Sequence, residues 1–186
     1  MADASHWQPD HYRPLLFLQV RLLQLAPQFR RRFDSSDLVQ DALLKAHQYR
    51  DRFRGTTDAE WMGWLHEILK NVVADRIREA KAGKRDLRQE QSLQAAMDES
   101  SARIEEFLRD DGSSPSQKAE RGELLLRLAS AIEQLPADQR DVIVRRDLRG
   151  ESVDQIAKQL GRTEKAVAGL LFRGRRRLRE LLADFE

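Results

Sequence analysis

The chain has 186 residues, of which 34% are charged, with a formal net charge of +2 and no cysteine. A length of this order fits one or two small domains. The missing cysteines exclude disulfides, zinc–thiolate sites, iron–sulfur clusters and a thiol nucleophile, and they fit a reducing cytoplasm. The four histidines are scattered along the chain without metal-ligand spacing. We therefore expect no metal and no cofactor.

Membrane, secreted and enzyme classes are also disfavoured. The longest apolar runs, such as residues 15–18, are far too short to span a bilayer. The amino terminus lacks the basic-then-apolar pattern of a signal peptide. The sequence has no glycine-rich phosphate loop and no clustered Ser, His and Asp set. We expect a cytoplasmic protein that is not an enzyme, with no catalytic residue, no membrane partner and no small-molecule substrate.

The charges are distributed in three blocks. Residues 1–86 carry net +3 (15 basic, 12 acidic), residues 87–134 net −4 (6 basic, 10 acidic) and residues 135–186 net +3 (12 basic, 9 acidic). Two mildly basic blocks therefore flank an acidic middle. The overall +2 says little about a nucleic-acid partner, whereas the distribution is informative.

The first block is predicted to be helical. Apolar residues recur at three- and four-residue steps over residues 15–25, 38–49 and 61–77, as on one face of an α-helix, and no period-two strand is evident. Ser35 or Ser36 is predicted to cap one helix, and residues 57–60 form a capping box for the next.

The acidic middle is predicted to be a flexible linker. Residues 110–116 read Asp-Asp-Gly-Ser-Ser-Pro-Ser, a cluster of turn residues with few large apolar neighbours. We expect two small helical bundles, residues 1–86 and 116–186, joined by a linker over residues 87–115. A long surface loop within one domain is the alternative.

The second block is also predicted to be helical. One apolar face is formed by Leu124, Leu128, Ala131, Ile132 and Leu135. Ser152–Gln155 form another capping box pattern, and Thr163 is placed to cap a later helix. The expected fold class is therefore all-α throughout.

Residues 151–179 have the pattern of a helix-turn-helix. Small Ala157, turn Gly161 and aliphatic Val167 stand at offsets of four and six, which suits helices that cross closely around a tight turn. Residues 161–179 contain seven basic residues and one acidic residue. This net +6 lies on the helix that would enter a major groove. A charged helix on an ordinary bundle is the weaker interpretation.

Five stretches, in order, resemble motifs of the extracytoplasmic-function (ECF) sigma factors of the bacterial sigma-70 family. Residues 37–46 resemble the family's DLVQE-type helix, residues 51–55 its RFRG turn and residues 64–71 its WLYRIARN-type helix. Residues 135–140 and 150–178 resemble the "LP..QR" motif and helix-turn-helix of sigma domain 4. The resemblance implies a factor that binds core RNA polymerase at its clamp and flap and recognises −35 and −10 promoter elements.

The resemblance implies three sets of site residues. The polymerase-binding set is Asp37, Leu38, Gln40, Asp41, Leu44 and Lys45. The −10 set is Phe53, His66, Lys70, Asn71, Arg76 and Arg78. The −35 set is Thr163, Lys165, Ala168, Gly169, Phe172, Arg173 and Arg176. Stacking on an aromatic ring and hydrogen bonding through an amide are ordinary ways to hold a single-stranded base.

Some of these assignments have structural alternatives. Leu38 and Leu44 could belong to the core, Phe53 could pack under Gly55, and Trp64 is assigned to the core. The family often has Tyr where His66 stands, and residues 168–170 replace a more polar stretch, which leaves the −35 bases open.

The resemblance allows for an anti-sigma factor as a further partner, and the end of the chain at Glu186 predicts no extra carboxyl-terminal domain. Two other function classes were weighed. A stand-alone helix-turn-helix regulator that binds duplex operator DNA is the main alternative, and an enzyme has little support.

Overall fold

The computed structural model describes residues 9–23, 34–55, 58–80 and 117–183, together with the single positions 95, 99 and 102. The described residues form helices and connecting turns, without a strand among them, and this confirms the all-α prediction. Most of the predicted linker and the predicted cap at Thr57 lie outside the described residues, and the three described positions within the linker, 95, 99 and 102, are helical. No helix within the described ranges is long and apolar enough to cross a membrane.

Among the described residues, the first bundle contains three helices. They are α1 (Pro9–Leu22), α2 (Ser35–Gln48) and α3 (Asp58–Ala80), with a 3₁₀ turn at Arg50–Arg52 between α2 and α3. Both α1 and α3 pack against α2. Helix α2 is capped by Asp34, whose carboxylate accepts a hydrogen bond of 3.0 Å from the backbone N–H of Ser36.

The predicted cap of α2 was therefore wrong by one or two positions. Asp34 has extended backbone angles, whereas Ser35 and Ser36 already belong to the first turn of the helix. Aspartate and serine are comparable caps, so the choice depends on where the backbone bends.

The second bundle is also built from helices. It contains α4 (Gln117–Glu133), α5 (Ala137–Ile143), α6 (Val153–Leu160) and α7 (Glu164–Ala183), and α5 continues as a π-helical turn over Val144–Leu148. The α5 and α6 helices pack against α7. The two helical bundles that the sequence predicts are thus both present.

The two bundles also pack on each other. Helix α1 lies along α4, and α3 contacts the same helix. Residues of both bundles contribute to one continuous set of buried apolar side chains. Sequence periodicity had not indicated this packing, because it reports on one helix at a time.

Candidate nucleic-acid and polymerase interfaces

The helix-turn-helix is built as its sequence predicts. Ser152 and Gln155 form a reciprocal capping box at the start of α6. Gly161 ends the helix with a φ of +62°, a left-handed conformation that costs glycine least. The backbone N–H of Arg162 then reaches the carbonyl of Ala157 at 2.9 Å. These local hydrogen bonds therefore stabilise the turn.

Helix α7 begins with Thr163, whose Oγ1 accepts a hydrogen bond of 3.2 Å from the backbone N–H of Ala166. This confirms the predicted cap. Its inward face consists of six buried small and aliphatic residues: Val167, Leu170, Leu171, Gly174, Leu178 and Leu181. The burial of Val167 and Leu171 confirms that they face the domain core.

Gly174 is a contact point that the sequence analysis missed. A Cβ atom at this position would lie 3.0 Å from Cγ1 of Ile143 and 3.4 Å from Cβ of Gln139. The absence of a side chain thus lets α7 approach α5 closely. A glycine inside an otherwise good helix is the signal that could have indicated this, because glycine there costs stability unless packing requires it.

The opposite side of α7 is open to solvent. We call six of its residues the reader face: Lys165, Ala168, Gly169, Phe172, Arg173 and Arg176. Their offsets of 0, 3, 4, 7, 8 and 11 place them on one side of the helix. Phe172 is 66% exposed, which is unusual for so large an apolar side chain. The structure therefore brings the −35 set together, with Thr163 at its amino-terminal end.

Charges around α7 are partly neutralised. Arg175 donates hydrogen bonds to Asp147 at 3.1 and 2.5 Å, and this hydrogen bond raises the pKa of Arg175. Arg162 donates to Asp138 at 2.7 Å. No ion pair among the described residues involves Lys165 or Arg173. These two cations of the reader face are therefore available for an anionic ligand.

The polymerase-binding set is divided by burial. Leu38 is 2% exposed and belongs to the core, whereas Leu44 is 55% exposed. Asp37 and Gln40 are also exposed. The outward side of α2 thus offers one large apolar side chain among polar ones.

Asp41 and Lys45 point toward α3. Arg76 Nε donates to an Asp41 carboxylate oxygen at 3.1 Å, and Lys45 Nζ donates to Asp75 at 3.0 Å. We call these four residues the α2–α3 seam. The hydrogen bond that Arg76 donates to Asp41 raises the pKa of Arg76. The seam therefore fixes α2 on α3 with charges that were predicted to face polymerase or DNA.

Two opposing effects act on the pKa of Asp75. Burial alone would raise its pKa, but hydrogen bonds and charge interactions with Lys45 and Arg78 lower the pKa overall. Arg78 donates to Asp75 at 2.8 Å. The carboxylate is therefore held ionised between two cations.

The −10 set is only partly brought together. Asn71 and Arg78 are exposed on α3 and lie on nearly the same face, being seven residues apart. Lys70 is 8% exposed and donates to Glu67 at 2.7 Å. Arg76 is turned away from this face onto Asp41. His66 is half-buried one helical turn before Lys70.

Phe53 belongs to an aromatic cluster. Its ring stacks on Trp61 with centroids 3.7 Å apart and 25° between the planes, and the Trp64 ring lies 5.4 Å away. A Cβ atom at Gly55 would overlap the Phe53 ring, so Phe53 packs against Gly55, as its structural alternative predicts. Trp64 is half-buried and packs against the core.

The described residues contain no group of three side chains able to hold a metal ion. They do contain long-range ion pairs that sequence reasoning missed, among them Arg175 with Asp147 and Arg76 with Asp41. These partners are 28 and 35 residues apart. Helical spacing predicts pairs only at three or four residues, so no local signal could have found them.

Two family models match the chain. Residues 10–83 match the model for sigma-70 region 2, and residues 125–178 match the model for sigma-70 region 4. These stretches correspond to the first bundle and to most of the second.

Curated relatives carry the same description. The chain is 32% identical over 149 residues to the ECF RNA polymerase sigma factor SigM of Mycobacterium tuberculosis, which covers 80% of this chain and 64% of that protein. It is 27% identical over 150 residues to SigE of Mycolicibacterium smegmatis, covering 81% and 52%. The chain thus spans less than two thirds of the length of these two relatives.

A further relative is covered more fully. The chain is 30% identical over 143 residues to the ECF RNA polymerase sigma-E factor of Escherichia coli, which covers 76% of this chain and 70% of that protein. Together with the two regional matches, this similarity extends over both helical bundles. The chain belongs to the sigma-70 family, in its group of ECF RNA polymerase sigma factors.

Proposed function

We propose that this chain is an RNA polymerase sigma factor that binds core polymerase and directs initiation at promoters with particular −35 and −10 elements. It has no catalytic activity of its own and works in the cytoplasm. The observation that carries the proposal is the reader face, which is exposed, basic and positioned by a capped helix-turn-helix.

The reader face is proposed to bind the −35 element. A recognition helix enters the major groove with its amino-terminal residues nearest the base edges. Lys165, Ala168 and Gly169 would then lie deepest, and Arg173 and Arg176 would contact phosphates. Phe172, exposed among them, suits an apolar contact with a thymine methyl group.

Region 2 is proposed to bind the −10 element through the outer face of α3 and the aromatic cluster. Asn71 offers an exposed amide and Arg78 an exposed cation. Phe53, which precedes α3 in the chain, presents an aromatic ring, and Trp61 covers one of its faces. A base held here would stack on the aromatic cluster and be read by hydrogen bonds.

The polymerase is proposed to dock on the outward side of α2. Leu44 supplies an exposed apolar contact, and Asp37 and Gln40 supply polar ones. An amphipathic helix face of this kind suits a helical partner. Asp41 and Lys45 contribute indirectly, since the α2–α3 seam holds α2 in place. We leave Leu38 to the core.

The proposed organisation assigns residues 1–86 to domain 2, residues 87–115 to the linker and residues 116–186 to domain 4. An anti-sigma factor that covers the DNA-binding surfaces is included as a regulatory partner. The stand-alone helix-turn-helix regulator is not favoured, because it gives no role to the region 2 match over residues 10–83.

The deciding experiment is transcription in a purified system. Core polymerase is combined with the chain and with genomic promoter fragments, and run-off transcripts are measured with and without the chain. We expect chain-dependent transcripts from a subset of promoters and a stable complex with core polymerase. A chain that neither binds core polymerase nor directs initiation at any fragment is not a sigma factor.

A matched pair of variants sharpens the experiment. Leu44→Ala removes the exposed apolar contact on α2, while Leu124→Ala removes an apolar side chain of similar exposure, 43%, on α4. We expect only Leu44→Ala to weaken the complex with core polymerase. If both variants weakened the complex equally, the proposal that polymerase docks on α2 would be rejected.

A further inference from the structure

We propose that a cavity lined by four arginines binds the phosphate groups of a small phosphorylated molecule. The cavity lies where the end of α1, the start of α2 and α5 with its π-helical turn meet. This inference goes beyond the proposed function, because neither promoter recognition nor polymerase docking uses these arginines. Three observations carry it: the charge of the cavity wall, the way its arginines are held, and a buried donor without an acceptor among the described residues.

The wall of the cavity is basic. The cavity has a volume of about 230 Å³, which is room for several water molecules and hence for a phosphate group. Its polar lining residues are Arg21, Arg140, Arg145, Arg149, Asp141 and Ser35, and the remaining lining residues are apolar. Four cations thus line the cavity with a single carboxylate. A cleft lined mainly by one sign of charge attracts ligands of the opposite sign, here anions.

The arginines are held by groups that do not themselves line the cavity. Arg21 Nε donates to Glu133 Oε1 at 2.9 Å, and Arg140 Nη2 donates to the backbone carbonyl of Glu133 at 2.7 Å. Arg149 Nη1 donates to Glu151 at 3.2 Å. The four arginine side chains are between 9% and 32% exposed. Guanidinium groups that are fixed in advance lose little conformational freedom when a ligand binds, so less of the binding energy is lost to ordering.

The cluster keeps a surplus of positive charge after its internal ion pairs are counted. Arg145 Nε donates to Asp141 at 3.0 Å, and Arg145 Nη1 lies 3.6 Å from Glu151. With Glu133 included, three carboxylates accompany the four arginines. Charges that are partly withdrawn from water are costly unless they are paired. An anion in the cavity would therefore pair with the charge that the carboxylates leave uncompensated.

Arg140 has a donor that the described residues leave unused. Its Nη2 has two backbone acceptors, the carbonyls of Glu133 and Leu135, whereas its Nε is buried and has no acceptor among the described residues. Buried donors in folded proteins normally have a partner.

Phosphate is the anion that this donor set suits best. Its oxygens accept paired hydrogen bonds from the planar edge of a guanidinium group. A phosphate group has three acceptor oxygens to share among several arginines, whereas a carboxylate has two. The half-buried hydroxyl of Ser35 is a further donor on the same wall.

The test titrates the full chain with inorganic pyrophosphate in a phosphate-free buffer. We expect calorimetry to show one saturable site, with affinity about tenfold lower in Arg21→Gln, because one charge-assisted hydrogen-bonding group is lost. The Nε–H resonance of Arg140 in ¹⁵N-labelled chain gives a second readout. This resonance, identified by its absence from Arg140→Lys, should shift as pyrophosphate is added.

Three further variants control for charge and folding. Arg13→Gln makes the same change on α1, where Arg13 pairs with Asp10 at 3.1 Å, and Arg173→Gln makes it on the reader face. Neither should change the affinity for pyrophosphate. Ser35→Glu places a carboxylate on the cavity wall in the first turn of α2, where a negative charge suits the helix. It should abolish binding, and it replaces Arg21→Gln if that variant folds poorly by circular dichroism.

A parallel titration with a nucleoside diphosphate distinguishes two sources of the phosphate groups. Tighter binding than pyrophosphate assigns the cavity to a nucleotide, and weaker binding assigns it to an inorganic phosphate.

Three outcomes would overturn the proposal. They are the absence of saturable binding, equal displacement of pyrophosphate by sulfate at the same ionic strength, and loss of binding in Arg173→Gln but not in Arg21→Gln or Ser35→Glu. Because these measurements need neither polymerase nor promoter DNA, they decide the proposal independently of whether the chain directs transcription.

Discussion

The cations proposed to bind DNA are arranged differently in the two bundles. On α7, Lys165 and Arg173 are exposed, and no ion pair within the described residues involves them. On α3, Arg76 and Arg78 donate to Asp41 and Asp75. The recognition helix of region 4 is thus held by its buried face and caps. The corresponding helix of region 2 is held partly by the charges themselves.

This difference has a consequence for mutagenesis. A substitution on the reader face should change DNA binding with little effect on folding, since those side chains contact solvent. A substitution in the α2–α3 seam should change both, because it removes an inter-helix contact.

Stability should be most sensitive to substitution of Gly174, where α7 packs against α5. Gly174→Leu places a branched side chain where even a Cβ would lie 3.0 Å from Ile143. We expect a loss of about 2 kcal/mol in the free energy of unfolding, as for overpacked cores. Urea denaturation measures it. Gly169→Ala is the control: its Cβ meets only the Arg173 guanidinium, at 3.5 Å, so helix propensity should raise stability slightly.

Charge reversal on the reader face should weaken DNA binding without destabilising the chain. We expect Arg173→Glu to lower the affinity of the chain–polymerase complex for promoter DNA about tenfold and to reduce the salt dependence by about one counterion. Filter binding across a salt series measures both quantities.

Arg177→Glu is the matched control on the same helix. Arg177 lies off the reader face and pairs with Glu180 at 3.2 Å. Its reversal should change affinity much less. If both variants lose the same affinity and salt slope, α7 attracts DNA by its total charge rather than through one oriented face.

Substitutions in the α2–α3 seam should lower the stability of the fold as well as change DNA binding. Arg76→Ala removes a half-exposed ion pair with Asp41, so we expect a loss of about 0.5–1 kcal/mol in unfolding free energy. A double-mutant cycle with Asp41→Asn measures the coupling between the two side chains. Zero coupling would mean that the pair has no structural role, and that Arg76 is available to DNA.

The smallest effect is a pH dependence at Asp75. Its pKa is lowered in the folded chain, so its stabilising contribution is complete above the unfolded pKa near 4 and is lost as the pH falls through the lower folded value. Unfolding free energies measured from pH 5 to pH 2.5 should therefore fall less steeply in Asp75→Asn. An identical acid slope in parent and variant would contradict the assignment.

How much the sequence predicts depends on the range of the interaction. The helix-turn-helix is set by neighbours: Ser152 with Gln155, Gly161 with Ala157 and Thr163 with Ala166 all lie within four residues. Each has a residue-type signature, so this part of the site is predicted correctly. The orientation of the reader face follows from the same helical period.

The interactions that the sequence does not predict join distant residues. Arg21 and Glu133 are 112 positions apart, and nothing in either segment indicates the other. Leu124 illustrates the same difficulty on a small scale: it shares the period of the buried face of α4 but is 43% exposed. Periodicity gives the side of a helix that is apolar, whereas the width of the covered region depends on the neighbouring helices.

Because the rings of Phe53 and Trp61 are stacked, the intrinsic tryptophan fluorescence of region 2 can report on what binds beside Phe53. Two of the three tryptophans, Trp61 and Trp64, lie with Phe53 in one cluster. A nucleobase that entered beside Phe53 would come within contact distance of an indole and change its emission. Engagement of the −10 strand could then be followed in real time on the unlabelled chain, independently of any signal from region 4, whose described residues contain no tryptophan.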